Sequence, residues 1–295
     1  MIARRIAVVG ASGQLGSALC AALADRDVVA PSHAELPFED ADALAAFLDD
    51  VRPDALVNCS AFHSVDAIER GETAKAFAIN AIAVDAAAAA CAQRGVAFAT
   101  VSTDYVFDGN AGRAYREDDA PNPLTAYGAS KLAGEQLVRR HGPRHYILRT
   151  SGVFGTAGTS NKGYTLIEKV VRQAERGEPT RMVADMVFSP SYAPDIAVAI
   201  RNLLDAQAFG THHLTNAGHC SWFEFVQAAF ALAGLADAPL EPTTYAAMGN
   251  PTRRPMYSVL ANTTFAPAGI PAVRHWREAL GDFVAGRRAR SNVRA

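Results

Sequence analysis

The stretch that decides the fold is Ile6-Ala7-Val8-Val9-Gly10-Ala11-Ser12-Gly13-Gln14-Leu15-Gly16. A short apolar run is followed at once by three closely spaced glycines, and a helical pattern opens over residues 15–24. Glycines in that position allow a tight turn, let the backbone approach a pyrophosphate and let the helix pack closely on the strand, while the helix N-terminus faces the anion. A glycine trio alone is a weak signal, but one that follows a strand at the head of a βαβ pattern reads as a dinucleotide fingerprint. Gly10, Ser12, Gly13, Gln14, Leu15 and Gly16 are the candidate cofactor-binding residues of this loop.

Outward from the loop, apolar runs at residues 6–9, 28–30, 55–59, 97–102 and 146–149 alternate with helical patterns at 15–24, 42–50, 73–93 and 126–140. That alternation predicts an α/β fold, a Rossmann-type doubly wound parallel sheet with a smaller C-terminal substrate-binding part. Residues 1–150 are expected to form the dinucleotide-binding domain, with later segments returning to it. Residues 151–295 are expected to be mainly substrate-binding and interleaved with the first part. The pattern loosens around residues 152–163, 189–194 and 241–255, and residues 287–295 read as a frayed basic tail.

The chain of 295 residues, 49% hydrophobic, is large enough for a substantial core. A formal net charge of -2 without long runs of one sign gives no electrostatic footprint for nucleic acid or an acidic membrane surface. No run reaches the roughly 20 continuous apolar residues of a membrane span. The four cysteines show no C-x-x-C spacing, and with no signal-peptide pattern at the N-terminus the expectation is a cytoplasmic protein with reduced thiols.

The second strand ends in Ala30-Pro31-Ser32-His33, with Glu35 slightly beyond. Without an acid at the strand tip a 2′-phosphate is not excluded, and Ser32 and His33 are placed to face one. The cofactor is therefore read as NADPH or NADH. Tyr127-Gly128-Ala129-Ser130-Lys131 sets a phenol and an ammonium four residues apart on one helix face. A neighbouring ammonium is expected to favour the phenolate and so ease proton exchange with a substrate oxygen. Upstream, Ser102-Thr103-Asp104 closes an apolar strand with hydroxyls that can bond the same oxygen.

Glycine loop, strand-ending Ser-Thr and Tyr-x-x-x-Lys together resemble the short-chain dehydrogenases/reductases. Further motifs narrow the resemblance to the dTDP-4-dehydrorhamnose reductase family. They are Val57-Asn58-Cys59-Ser60-Ala61-Phe62 with Val65-Asp66 and Glu69, Ser102 through Gly109, Tyr115, Glu117-Asp118, Pro123, and Ser130-Lys131-Leu132-Ala133-Gly134-Glu135. Leu148-Arg149-Thr150-Ser151, Ser189-Pro190-Ser191, Ser221-Trp222-Phe223-Glu224-Phe225, Arg254-Pro255 and Tyr257-Ser258-Val259-Leu260 extend it to most of the chain.

The resemblance implies reduction of the 4-keto group of a nucleotide-linked 6-deoxyhexulose. Tyr127 would donate the proton to the C4 oxygen. Lys131 would lower the tyrosine's pKa and hold the nicotinamide ribose, and Thr103 would bond the C4 oxygen. Ser60, Ala61 and Phe62, at the end of a fourth strand, would lie along the cofactor, and Tyr105 would line the sugar pocket. The implied partner is the nucleotide-sugar alone, bound by a monomer or homodimer, with no nucleic acid, membrane or metal.

Three departures bear on this, one being Asp185-Met186-Val187-Phe188-Ser189-Pro190-Ser191 where the family has Asp-Gln-x-Gly-x-Pro-Thr. Gly152 stands where the family commonly has a tryptophan lying against the sugar, so Gly152→Trp is expected to shift sugar preference. Ala18 stands where some members use a glutamate in a metal-bridged dimer contact. Arg254 could form bidentate contacts to a nucleotide diphosphate or be solvated beside Arg253. His212, His213 and His219 read as structural, because adjacent strand residues point to opposite faces. An epimerase or dehydratase of the same fold is the nearest alternative, although Asp104-Tyr105 stands where a dehydratase shows Asp-Glu. A non-catalytic dinucleotide-binding regulatory subunit is the other.

Overall fold

The computed structural model describes residues 3–155 and 165–294. Its centre is a six-stranded parallel sheet built from β1 (Arg5–Val9), β2 (Asp27–Val29), β3 (Ala55–Asn58), β4 (Ala97–Thr103) and β5 (His145–Thr150), with a late strand, Gly210–His213, at the edge beside β5. The spatial order is Gly210–His213, β5, β4, β3, β1, β2. Between them run helices α1 (Gln14–Ala22), α2 (Ala41–Val51), α3 (Val65–Gln93) and α4 (Ala126–Arg139). The order reverses between β1 and β3, and an open parallel sheet leaves a crevice at such a reversal, beyond the carboxyl ends of its strands.

Alternation along the strands builds both cores. Ile6 and Val8 point to one face, with Leu15 and Leu19 of α1 and with Ile196 and Ile200 of the later helix Ala193–Ala206. Ala7 and Val9 point to the other, with Leu44 and Leu48 of α2 and Val84, Ala87 and Cys91 of α3. Burial on both faces is why these strands read as continuous apolar runs. A separate core, with Phe154, Phe188, Phe225 and Trp276 among its members, joins the helices Leu166–Glu175, Trp222–Ala233 and Trp276–Arg294.

Three expectations are corrected. Ser60, Ala61 and Phe62 follow the third strand rather than a fourth. The alanine-rich helix begins eight residues early, at Val65, and contains two π-turns, Ile68–Glu72 and Ala78–Ile82, with a kink at Gly71 (φ 130°). By length and composition α3 could cross a membrane, yet half of its apolar window is buried inside the protein. The tail expected to fray from Arg287 is instead part of the helix Trp276–Arg294, and Arg287 is bidentate to Glu175 at 2.7 Å. The loosened stretch 152–163 lies outside the described residues from 156 onward, as does Ala295 at the end of the tail.

One ion pair is fully enclosed. Arg149 on β5 donates from Nε to Glu135 Oε1 at 2.9 Å and from Nη2 to Oε2 at 2.6 Å, while Ser102 on β4 donates to the same carboxylate at 2.6 Å. Glu135→Ala would leave a buried guanidinium without its partner, and we expect it to cost about 3–5 kcal/mol in urea unfolding. Arg176→Ala, which removes an exposed pair with Glu178, should leave the unfolding midpoint nearly unchanged.

Candidate active site

The crevice between β1 and β3 is a cleft of about 530 Å³ lined by Gly10, Ala11 and Ser12 on one side and by Ser60, Ala61 and Phe62 on the other. The glycine loop folds here because two backbones nearly touch. Gly10 has φ 77°, and a Cβ on it would lie 2.7 Å from the Ser60 nitrogen; a Cβ on Gly16 would lie 2.2 Å from the Gly10 carbonyl oxygen. Gly13 is different, since its φ is -77° and the nearest atom to a Cβ there is 3.4 Å away. It caps α1 with no side-chain bond, so the first-turn N–H groups are left for an anion. Leu15 turns inward to the core, and its contribution is limited to the backbone of that turn.

Beyond the end of β2, Glu35 is brought back toward the cleft. The turn after Ser32 bends back, with the Glu35 and Leu36 amides donating to the Ser32 carbonyl. The Ser32 amide and hydroxyl then both donate to Glu35 Oε2 at 2.8 Å. These bonds hold the Glu35 carboxyl below its usual range. Ser32, His33 and Glu35 all line the cleft.

The catalytic candidates stand at the end of β4 and in the first turns of α4, which Asn80 ties to the cleft residue Phe62. Thr125 caps α4 by accepting from the Gly128 amide at 3.0 Å, which fixes the first turn and Tyr127 within it. Thr103, the last residue of β4, donates to Asp104 Oδ1 at 3.1 Å and accepts from the Tyr105 amide at 3.2 Å. The Tyr105 and Tyr127 rings meet edge-on, 5.8 Å apart. Lys131 is buried one turn along α4, and burial lowers it to about 8, against the opposing pull of Glu135.

The phenol does not respond as expected. Burial pushes Tyr127 above the ordinary tyrosine range, outweighing the lowering influence of Thr103, and the nearby Asp104 and Tyr105 push it further. Burial thus favours the neutral phenol of Tyr127 over its phenolate. Asp104 is likewise raised by burial, against the bonds from Ser258, Ser151 and Thr103.

Asn80 was not singled out in the sequence. Its amide accepts from the Phe62 amide at 3.0 Å and donates to the Phe62 carbonyl at 2.9 Å and to Ser130 Oγ at 3.0 Å. It sits in the second π-turn, which joins the β3 loop to the catalytic helix, and π-turns recur at functional sites. Only that local winding gives it away, and no periodicity in the sequence shows it.

Toward the second core, Arg254 pairs with Asp66 at 2.8 Å, and its Nε is buried without a partner among the described residues. It interacts with the Tyr105 hydroxyl and is not a solvated arginine. Gly152 has φ 49°, and a Cβ there would stand 2.2 Å from Phe188 Cε2. The place beside Gly152 is therefore filled, and Gly152→Trp would collide with Phe188 instead of simply restoring a ring. His212 bonds Thr264 and the Ala208 carbonyl, and His213 bonds the Ala261 carbonyl. Among the described residues no group of His, Cys, Asp and Glu is placed to hold a metal ion.

The family model described as RmlD substrate binding domain matches residues 4–288. The spore coat polysaccharide biosynthesis protein SpsK of Bacillus subtilis is 39% identical over 282 residues, covering 95% of this chain and 96% of that protein. A dTDP-4-dehydrorhamnose reductase of Streptomyces griseus is 36% identical, covering 92% of this chain and 90% of that one. The crystal structure of dTDP-4-dehydrorhamnose reductase from Bacillus anthracis in complex with NADP superposes with TM-score 0.91 at 31% identity, covering 97% of this chain and 100% of that chain.

The different roles of the glycines give a test of the cleft. Gly13→Val should leave the melting temperature nearly unchanged but weaken NADPH and NADH binding strongly in a nicotinamide-fluorescence titration. Gly16→Val should lower the melting temperature, because the added atoms meet backbone.

Proposed function

Because the chain belongs to the RmlD substrate binding domain family, we propose that it is an NADPH- or NADH-dependent reductase that converts the 4-keto group of a nucleotide-linked 6-deoxyhexulose to a hydroxyl. The observation that carries this reading is that Tyr105 links the two candidates, its amide donating to Thr103 at 3.2 Å and its ring meeting that of Tyr127 at 5.8 Å, with Lys131 one turn along the same helix. A dTDP-4-keto-6-deoxy-D-glucose reductase of Streptomyces niveus, 34% identical, supports the same substrate class.

The glycine loop and the uncapped α1 N-terminus would hold the pyrophosphate, Ser60 to Phe62 would flank the cofactor, and Ser32 with Glu35 would meet the adenosine ribose. When bound, NADPH supplies the hydride that adds to the sugar's C4. Tyr127 gives its phenolic proton to the C4 oxygen, so the carbonyl gains one hydride and one proton and becomes a secondary alcohol. Thr103 orients that oxygen. Lys131 favours the resulting tyrosinate by its charge and lies where the nicotinamide ribose would be held. Tyr105 would line the sugar pocket and Arg254 would face the nucleotide diphosphate. The protein acts in the cytoplasm as a monomer or homodimer, on a small-molecule substrate alone.

A panel of nucleotide-linked 4-keto sugars, followed at the nicotinamide absorbance with each cofactor, tests the reading: stoichiometric oxidation of the cofactor is expected, and its absence with every sugar would overturn it. Tyr127→Phe should lower kcat by about 10²–10⁴-fold with cofactor affinity nearly intact. The pH profile carries a second signature. Lys131 is held near 8, so its charged form dominates below that pH and is lost above it. kcat/KM should therefore fall as pH rises through about 8, and this limb should vanish in Lys131→Met.

A further inference from the structure

We propose that Glu35 makes the cofactor cleft prefer NADH to NADPH, because its carboxylate is seated on the donors that a 2′-phosphate would need. This rests on the reading of the glycine-loop cleft as a dinucleotide site and assigns it a choice between the two cofactors. In such a fold the ribose of the adenosine half lies beside the end of the second strand. Here Ser32, His33, Glu35, Leu36, Phe38 and Glu39 line the cleft at that place.

The turn after β2 has few donors to offer, and its own acid engages two of them. The Ser32 amide and the Ser32 hydroxyl both donate to Glu35 Oε2 at 2.8 Å. A hydroxyl has one hydrogen, so Ser32 keeps nothing to donate to a phosphate. The Glu35 and Leu36 amides are also engaged, donating to the Ser32 carbonyl at 3.1 and 2.9 Å. Glu35 thus acts as a built-in anion where a bound one would have to sit. The bonds from Ser32 hold its carboxyl below the usual range, so it is charged at neutral pH. Its other oxygen, Oε1, has no donor among the described residues and is left to accept from the hydroxyls of an unphosphorylated ribose.

The surrounding charge acts in the same sense. Among the described residues the lining of the cleft holds two carboxylates, Glu35 and Glu39, and no lysine or arginine. A 2′-phosphate is ordinarily met by an arginine. The cation that approaches the lining, Lys75, stands over the Phe62 ring at 4.6 Å and pairs with Glu72 at 3.5 Å, both on α3. A 2′-phosphate would therefore add its negative charge beside Glu35 with no partner of opposite sign. Like charges a few ångströms apart at the water-exposed mouth of a cleft weaken binding by about tenfold. A free ribose hydroxyl meets no such repulsion and gains an acceptor.

The test is a binding measurement on the full chain with no nucleotide-sugar present, so it stands apart from whether a 4-keto sugar is reduced. NADH and NADPH are titrated by nicotinamide fluorescence, and 5′-AMP and 2′,5′-ADP are compared as competitors that differ only in the 2′-phosphate. Wild-type protein is expected to bind NADH and 5′-AMP about tenfold more tightly than their 2′-phosphorylated counterparts, with the gap narrowing as salt is raised. Glu35→Gln keeps the length of the side chain and an acceptor for Ser32 but removes the charge. It should close most of the gap by tightening NADPH. Glu35→Ala, which also frees both Ser32 donors, should bring NADPH level with NADH while NADH weakens. The side chain is exposed, so neither variant is expected to melt early. The selectivity is overturned if wild-type protein binds NADPH as tightly as NADH, if salt leaves the gap unchanged, or if both variants keep the wild-type ratio. A preference for NADH without turnover of any nucleotide-linked 4-keto sugar overturns the reductase reading and leaves the selectivity standing; turnover without the preference overturns the selectivity only.

Discussion

A carboxylate and a guanidinium shut away from water, Glu135 and Arg149, hold the catalytic helix to the sheet. Isolated, either charge would be costly to bury; as a bidentate pair with Ser102 added, they satisfy one another. The pair lies one turn beyond Lys131, so the same carboxylate that anchors α4 is the charge that works against the lysine's loss of its proton. Arg139 reaches the same carboxylate at 3.2 Å and Thr211 on the edge strand at 3.1 Å, which links the anchor to the late-returning strand. The placing of α4 and the closing of the sheet thus depend on one set of bonds.

What the chain writes locally could be read from it. The glycine loop and the five early strands follow from apolar runs and small residues at fixed offsets, and the observed strand ends lie within one or two residues of those expected. Tyr127, Lys131 and Thr103 could be singled out because a helix face and a strand end are both short-range geometries. The misreadings share a cause, which is dependence on a partner distant in sequence or on a backbone detail that residue type does not encode. Glu35 counted as lying beyond the tip until the turn at Ser32 folded it back. Asn80 depends on a π-turn, and the helical tail depends on a core it shares with Phe154 and Phe225. The expected pull of Lys131 on Tyr127 followed from spacing alone and gave way to desolvation, which spacing does not register.

The side of the site toward the second core is assembled from pieces that the sequence keeps apart. Asp104, Gly152, Phe188, Trp222 and Ser258 line one cavity, yet no two of them lie within a turn of each other along the chain. Gly152 and Phe188 depend on one another most closely, since the absence of a side chain at one position is the space occupied by the other.

The pairing of α1 with the helix Ala193–Ala206 has a consequence for how the molecule is made. Arg26 reaches Asp205 across 179 residues of chain, and Arg201 reaches Asp25 in return. At a translation rate of about 5–20 residues per second, α1 and its face of the sheet wait roughly 10–40 s on the ribosome for their cover. Through that interval the cluster around Ile6, Val8 and Val57 lacks its later members, Ile196 and Ile200 among them, and the nascent chain is an apolar surface that chaperones can hold. Truncation before residue 193 would make that exposure permanent, so the late helix is a determinant of yield in the cell as much as a part of the finished core.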